Sequence, residues 1–120
     1  MKTYAKGYRA ERELLRILSA RGYSCIRAAS SGGFLTPVDV LAMKSGKTLC
    51  FEIKSWANKP KLKKDQLSRF SEWCNNAQGH GFLAWYNQNQ WRFLPLRDVE
   101  SNQYEDENWI GLDAFLKVFI

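Results

Sequence analysis

Pro37-Val38-Asp39-Val40-Leu41-Ala42-Met43-Lys44-Ser45-Gly46-Lys47-Thr48-Leu49-Cys50-Phe51-Glu52-Ile53-Lys54 is the stretch whose reading decides the fold. Its pattern predicts a strand over Val38–Met43, a tight turn at Ser45-Gly46-Lys47, and a second strand over Thr48–Trp56. Side chains i and i+2 of a strand emerge on one face, about 7 Å apart. Glu52 and Lys54 therefore point the same way, while Phe51, Ile53 and, less completely, Leu49 line the opposite, apolar face. Asp39 stands near the start of the partner strand. Two carboxylates and an ammonium on paired strands form either a surface ladder of ion pairs or a divalent-metal site suited to phosphodiester chemistry.

The 120 residues, 45% hydrophobic and 14% aromatic, are enough for a single domain over 1–120 with its own core. No apolar run approaches the ~20 residues of a membrane span. Met1-Lys2-Thr3-Tyr4 leads directly into a charged helix, with no secretory signal visible, so the expected setting is the cytoplasm. Cys25, Cys50 and Cys74 are odd in number and contain no C-x-x-C pair, which reads as small reduced core residues. His80, the only histidine, lies between Gly79 and Gly81 and reads as a turn residue. A single histidine argues against His-ligated zinc and against nucleases that need His as a base. The net charge of +6 is unevenly placed: residues 1–97 hold 17 Lys and Arg against 6 Asp and Glu, a local +11, and the remaining acids fall between Asp98 and Asp113. A basic body with an acidic late segment suits a nucleic-acid binder.

Outward from the central hairpin, a first helix is predicted over Tyr8–Arg21, with Tyr8, Glu11, Leu15 and Leu18 on one stripe, Leu14 and Ile17 broadening it, and Gly22 as C-cap. Glu11 is out of character on an apolar stripe. It lies either in an exposed first turn, favoured by the helix dipole, or in a site that needs a carboxylate. Ser24–Ala28 reads as a short strand, followed by the small-residue loop Ala29-Ser30-Ser31-Gly32-Gly33-Phe34-Leu35-Thr36, whose hydroxyls and amides suit close approach to phosphate. Lys59, Lys61, Lys63 and Lys64 form a basic connector, a solvated face or a set of phosphate contacts, leading into a second helix over Lys63–Gln78. Gly81–Tyr86, a turn at Asn87-Gln88-Asn89, and Gln90–Leu94 read as a hairpin that Pro95 ends. Asp98–Asn108 reads as loop, and Leu112–Ile120 as a terminal amphipathic segment. The order αβββαββ plus a terminal segment predicts a single α/β domain on a mixed sheet.

Mg²⁺, with Mn²⁺ as substitute, fits two oxygen-donor carboxylates. Asp39 and Glu52 would ligate it directly, the Ile53 carbonyl would add an oxygen, Glu11 would complete the site, and Gln66 would orient a water or ligand. Lys54 would orient the attacking water or stabilise developing charge.

Taken together, Lys6-Gly7-Tyr8-Arg9-Ala10-Glu11-Arg12-Glu13-Leu14-Leu15, Gly22-Tyr23, Arg27, Ser30-Ser31-Gly32, Val38-Asp39-Val40-Leu41-Ala42 and Phe51-Glu52-Ile53-Lys54 resemble the archaeal Holliday junction resolvases. These are a branch of the PD-(D/E)xK, or restriction-endonuclease-like, nucleases. The matches cover about the first half of the chain; Phe34-Leu35-Thr36-Pro37 departs from the pattern. The resemblance implies metal ligation by Glu11, Asp39 and Glu52, a transition-state role for Lys54, and catalytic or junction contacts for Ser31, with Ser30 the second choice. It implies DNA-backbone contacts for Arg12 and Arg27, to which Lys6, Arg9 and the four connector lysines add basic surface. The implied activity is metal-dependent resolution of four-way DNA junctions in recombination and repair, by a homodimer. A two-fold dimer presents two sites to a nearly two-fold junction. Phe70, Trp73, Trp85, Trp91 and Phe93 would supply either the dimer interface or the monomer core. Leu116–Ile120 would pack on its own sheet or dock on a sliding clamp.

Overall fold

Leu49, Phe51 and Ile53 fall on one face of a strand and Cys50 on the other, and this alternation divides the molecule into two cores. The computed structural model describes residues 2–28 and 36–120, with first-helix side chains from Gly7 onward. Helix α1 spans Lys2–Ser19, strand β1 Ser24–Arg27, β2 Val40–Lys44 and β3 Lys47–Lys54. Then come α2 at Lys64–Ala77, β4 at His80–Asn87, β5 at Gln90–Pro95, α3 at Leu96–Glu100, β6 at Ile110–Gly111 and α4 at Leu112–Phe119. The six strands lie in chain order, all neighbours antiparallel except β3 and β4, whose parallel pairing requires the crossover that α2 supplies. Helices α1 and α4 cover one face, around Leu14, Leu18, Phe51, Phe82, Phe93 and Phe115. The other face holds Cys50, Leu83 and Leu94 against Phe70 and Cys74 of α2 and Val99 of α3.

Several boundaries differ from the sequence reading for physical reasons. The buried stripe of α1 is Ala10, Leu14 and Leu18, so Glu11 and Leu15 flank the core and do not centre it. Strand β2 begins at Val40, because the carboxylate of Asp39, not a backbone carbonyl, takes the N–H of Ile53. Strand β3 stops at Lys54, and the carbonyl of Trp56 is satisfied by the Trp85 indole N–H at 2.8 Å. Pro95 closes β5 in register with Phe82; β6 reaches only Arg92 and Phe93, so no ladder partner needs the missing N–H. His80 opens β4 and is not a turn residue. The segment read as acidic loop, Asp98–Asn108, takes in the end of α3 and a 3₁₀ turn at Asp106–Asn108, and β6 follows just after it, each shorter than any hydrophobic period can reveal.

Both hairpin turns have two residues with positive φ, Ser45-Gly46 and Gln88-Asn89, matching the twist of the strands they join. Gly22 (φ +88) ends α1 as expected, and the Tyr23 N–H returns to Leu18 O at 3.2 Å. Phe70, Trp91 and Phe93 are buried, so these aromatics belong to the monomer core; Trp73 and Trp85 remain partly exposed. The terminal segment also packs inward. Phe115 is fully buried and Leu116, Phe119 and Ile120 lie against the same core, leaving Val118 exposed, so packing on its own sheet is the arrangement the segment adopts. Among the described residues no helix is long and apolar enough to cross a membrane.

Candidate active site

The site begins where the β2–β3 ladder gives way to side chains. Asp39 donates its backbone N–H to Phe51 O (2.8 Å) and its carbonyl accepts the Ala28 N–H (2.9 Å), which fixes its backbone between β1 and β3. Its Oδ2 then accepts the Ile53 N–H at 2.6 Å. One step beyond the Val40↔Phe51 pairing, Asp39 stands opposite Glu52. Both are buried, at 5% and 7% exposure. Lys54 Nζ reaches Glu52 Oε2 at 3.2 Å, as the i, i+2 spacing predicts.

Glu52 Oε1 is buried and has no hydrogen-bond partner. Burial pushes the Glu52 carboxyl up to about 8; the Asp39 charge adds to the rise, and Lys54 only partly offsets it. A carboxyl with one orphaned oxygen beside a second acid is destabilising unless something cationic completes it. Mg²⁺ needs only one or two carboxylates, with water and phosphate oxygens filling its remaining positions. Asp39 and Glu52 therefore fit a hard divalent cation.

Glu11 lies apart from that pair. Its Oε1 accepts Arg27 Nη1 at 3.0 Å, and the Arg27 guanidinium sits over the Tyr8 ring, 4.7 Å from its centroid. Burial raises the Glu11 carboxyl, the Arg27 hydrogen bond opposes this, and the Asp39 charge raises it further. The Glu11 carboxyl thus feels the Asp39 charge. Among the described residues, no three His, Cys, Asp or Glu side chains converge as a ready-made metal cage.

Basic residues gather in two regions. On the flank of α1, Arg9, Arg12, Arg16 and Arg27 line an open groove of about 1070 Å³ with Tyr8 and Ser19. In the second region, residues 55–62 form a strap after Lys54. Lys59 pairs with Asp106 at 2.6 Å and donates to Tyr104 O at 2.9 Å; Lys61 lies over the Tyr104 ring, and Lys63 and Lys64 are exposed. Gln66 is engaged locally, its Oε1 accepting the Lys63 N–H at 3.3 Å, so it caps the start of α2. The side chain of Lys6, and Ser30 and Ser31, lie outside the described residues. Sequence reasoning left Arg16 out of the DNA-contact set, although it lines the groove. Its position four residues after Arg12 was the available signal. Tyr104, anchor of the strap, gave none, because its contacts to Lys59 and Leu62 span more than 40 residues.

A mixed sheet between helices, carrying Glu52-Ile53-Lys54 on β3 and Asp39 immediately before its antiparallel neighbour β2, defines the restriction-endonuclease-like nuclease fold. The chain belongs to the archaeal Holliday junction resolvase (Hjc) family, whose model matches residues 2–117. It is 29% identical over 118 residues to the crossover junction endodeoxyribonuclease Hje of Saccharolobus islandicus (strain REY15A), across 93% of this chain and 87% of that one. With the crossover junction endodeoxyribonuclease Hjc of Methanocaldococcus jannaschii it shares 40% over 83 residues, 68% of this chain and 59% of that protein. The 1.6 Å structure of Archaeoglobus fulgidus Hjc, a Holliday junction resolvase from an archaeal hyperthermophile, matches with a TM-score of 0.63 at 29% identity. That match covers 77% of this chain and 74% of the other.

Proposed function

We propose that this protein is an endodeoxyribonuclease that resolves four-way DNA junctions by Mg²⁺-dependent phosphodiester hydrolysis, acting as a homodimer. Membership of the resolvase family supports the reaction class. The observation that carries the chemistry is the buried Asp39–Glu52 pair, with Glu52 Oε1 unpartnered and Lys54 alongside. Asp39 and Glu52 would hold the ion, which when bound supplies charge compensation for the phosphoryl oxygens and a more acidic water. Mn²⁺ meets the same oxygen donors.

The chain's own groups do the rest. The Ile53 N–H fixes the Asp39 carboxylate, so its oxygens are set before substrate arrives. Lys54 exchanges its ion pair with Glu52 for the attacking water or the phosphoryl oxygens, an electrostatic role that needs no proton transfer. Glu11, held by Arg27, is the third acid of the set, and the α1 groove of Arg9, Arg12 and Arg27 takes the DNA backbone with Lys6. Ser31, with Ser30 beside it, is assigned to the junction on the family resemblance.

Replacing Asp39 or Glu52 by Ala should abolish cleavage of a four-way junction while leaving junction binding intact in a gel-shift assay. Cleavage retained in both variants would dismiss the metal site. Equal cleavage of a linear duplex of the same sequence would point to a general duplex nuclease. For the dimer, the support is the two-fold symmetry of the substrate and the partly exposed Trp73, which lines a small apolar pocket with Ile26 and Leu41. Trp73→Glu should convert the dimer to a monomer in sedimentation velocity, and an unchanged sedimentation coefficient would exclude this face.

A further inference from the structure

Glu52, Lys54 and Trp56 follow one another at i, i+2 and i+4, but Trp56 lies beyond the strand and is left in the open. It is 43% exposed, whereas Trp91 and Trp109 are 4% and 8% exposed. Its position is nevertheless fixed. The Trp56 carbonyl accepts the Trp85 indole N–H at 2.8 Å, and the Ala57 carbonyl accepts Asn87 Nδ2 at 3.3 Å. Further along, Lys59 Nζ donates to Tyr104 O and the Leu62 N–H to Tyr104 Oη at 3.3 Å. Trp85 itself is braced edge-on by Trp109, with ring centroids 5.5 Å apart. The strap is therefore tied at four points along residues 56–62, and the indole is presented from a pre-ordered backbone.

Lys54 Nζ lies 5.1 Å from the Trp56 ring centroid, so the indole borders the site lysine. Holding Lys54 does not account for the exposure, because that side chain is only 16% exposed and already engaged by Glu52 at 3.2 Å. A large aromatic surface left open, beside a phosphodiester site and at the head of a strap bearing Lys59 and Lys61, has a specific physical complement. A nucleobase offers a flat π-face and brings phosphates to the lysines.

We propose that Trp56 is a base-stacking platform that receives a nucleobase unstacked at the branch point, beside the phosphate engaged at Glu52 and Lys54. This rests on the junction-resolving reading above. Stacking is indifferent to base identity, since every base has a π-face, so the platform selects branched over continuous DNA without reading sequence. In a continuous duplex each base is already stacked on its neighbours and gains nothing from the indole.

The test uses the full chain without divalent cation, so that nothing is cut. A four-way junction carries 5-iodouracil either beside the branch point or in the middle of an arm. Irradiation of the wild-type complex should cross-link the branch-point label to Trp56, located by mass spectrometry, and leave the mid-arm label free. Trp56→Ala should lose the cross-link and bind the junction roughly tenfold more weakly, the scale of one base–aromatic stack, with duplex affinity unchanged. Trp56→Phe should retain most of the junction affinity, and circular dichroism verifies that each variant is folded. Unchanged junction affinity in Trp56→Ala, with only cleavage impaired when Mg²⁺ is added, would reduce Trp56 to a wall for Lys54 and overturn the proposal. Equal cross-linking from both label positions would overturn it too. If the wild type shows no preference for the junction over duplex, the resolvase reading fails, and the platform with it.

Discussion

Under the metal-site proposal Glu52 is the pivotal residue, because its surroundings favour a proton until a cation takes that place. Its carboxyl, pushed up from 4.5 to about 8, binds a proton in the folded protein over a range where the unfolded chain has released it. The folded state therefore holds more protons between those values, and metal-free stability must fall as pH rises from about 4.5 to about 8. The contribution is fully present below 4.5 and lost once pH passes the folded value. In EDTA, the wild-type melting temperature should decline over this window relative to Glu52→Gln, which cannot ionise. Mg²⁺ should raise the wild-type melting temperature more at pH 8 than at pH 5, since at the lower pH it must displace a proton. Parallel wild-type and Glu52→Gln profiles would refute the assignment. At this scale the sequence was informative where spacing is short. Glu52 and Lys54 share a face by strand geometry alone, and Asp39 follows from the hairpin. Glu11 was visible only as an acid out of place. Its partner Arg27, sixteen residues away, was unreadable without the sheet that brings them together.

Among the elements, the start of β4 shows how closely helix and sheet approach beneath the site. A Cβ on Gly81 would lie 2.8 Å from Cys74 Sγ in α2 and 3.1 Å from Leu96 Cδ2 in α3. Gly81→Ala should therefore cost about 1–3 kcal/mol by overpacking, measured by urea denaturation. Adding Cys74→Ala should recover part of that loss, because the nearest atom is gone while the Leu96 contact persists. A full additive penalty in the double variant would mean that strain at Gly81 arises elsewhere. Sequence patterning located this strand and its hairpin because the short apolar run Gly81–Tyr86 and its partner Gln90–Leu94 are separated by the polar turn Asn87-Gln88-Asn89. Patterning failed where side chains substitute for backbone partners. The Asp39 carboxylate shortens β2 and the Trp85 indole shortens β3, so both strands were read too long. It also failed over residues 96–111, where a five-residue helix and a two-residue strand owe their existence to burial of Val99 and Trp109.

For the molecule as a whole, charge placement is the feature that organises binding. Positive groups lie in the α1 groove and along the strap that leads from Lys54 to α2. Neutralised phosphates release counterions, so junction affinity should fall steeply with salt, by a slope of about 0.9 per contact on double-stranded DNA. If the two surfaces hold different arms, their contributions to that slope should add. Arg12→Gln with Arg16→Gln removes two groove cations and should lower the slope by up to about 1.8 per bound protomer. Lys61→Gln, Lys63→Gln and Lys64→Gln together should lower it by up to about 2.7. Lys59 is left in place, because its pairing with Asp106 makes it a strap anchor as well as a cation. The combined variant should lose the sum, measured by fluorescence anisotropy on an uncut junction over a series of KCl concentrations. A combined loss no greater than that of either set would mean that both surfaces serve the same arm. An unaltered slope in the lysine set would mean that the strap's charge faces solvent, leaving the α1 groove to carry the electrostatics of binding alone.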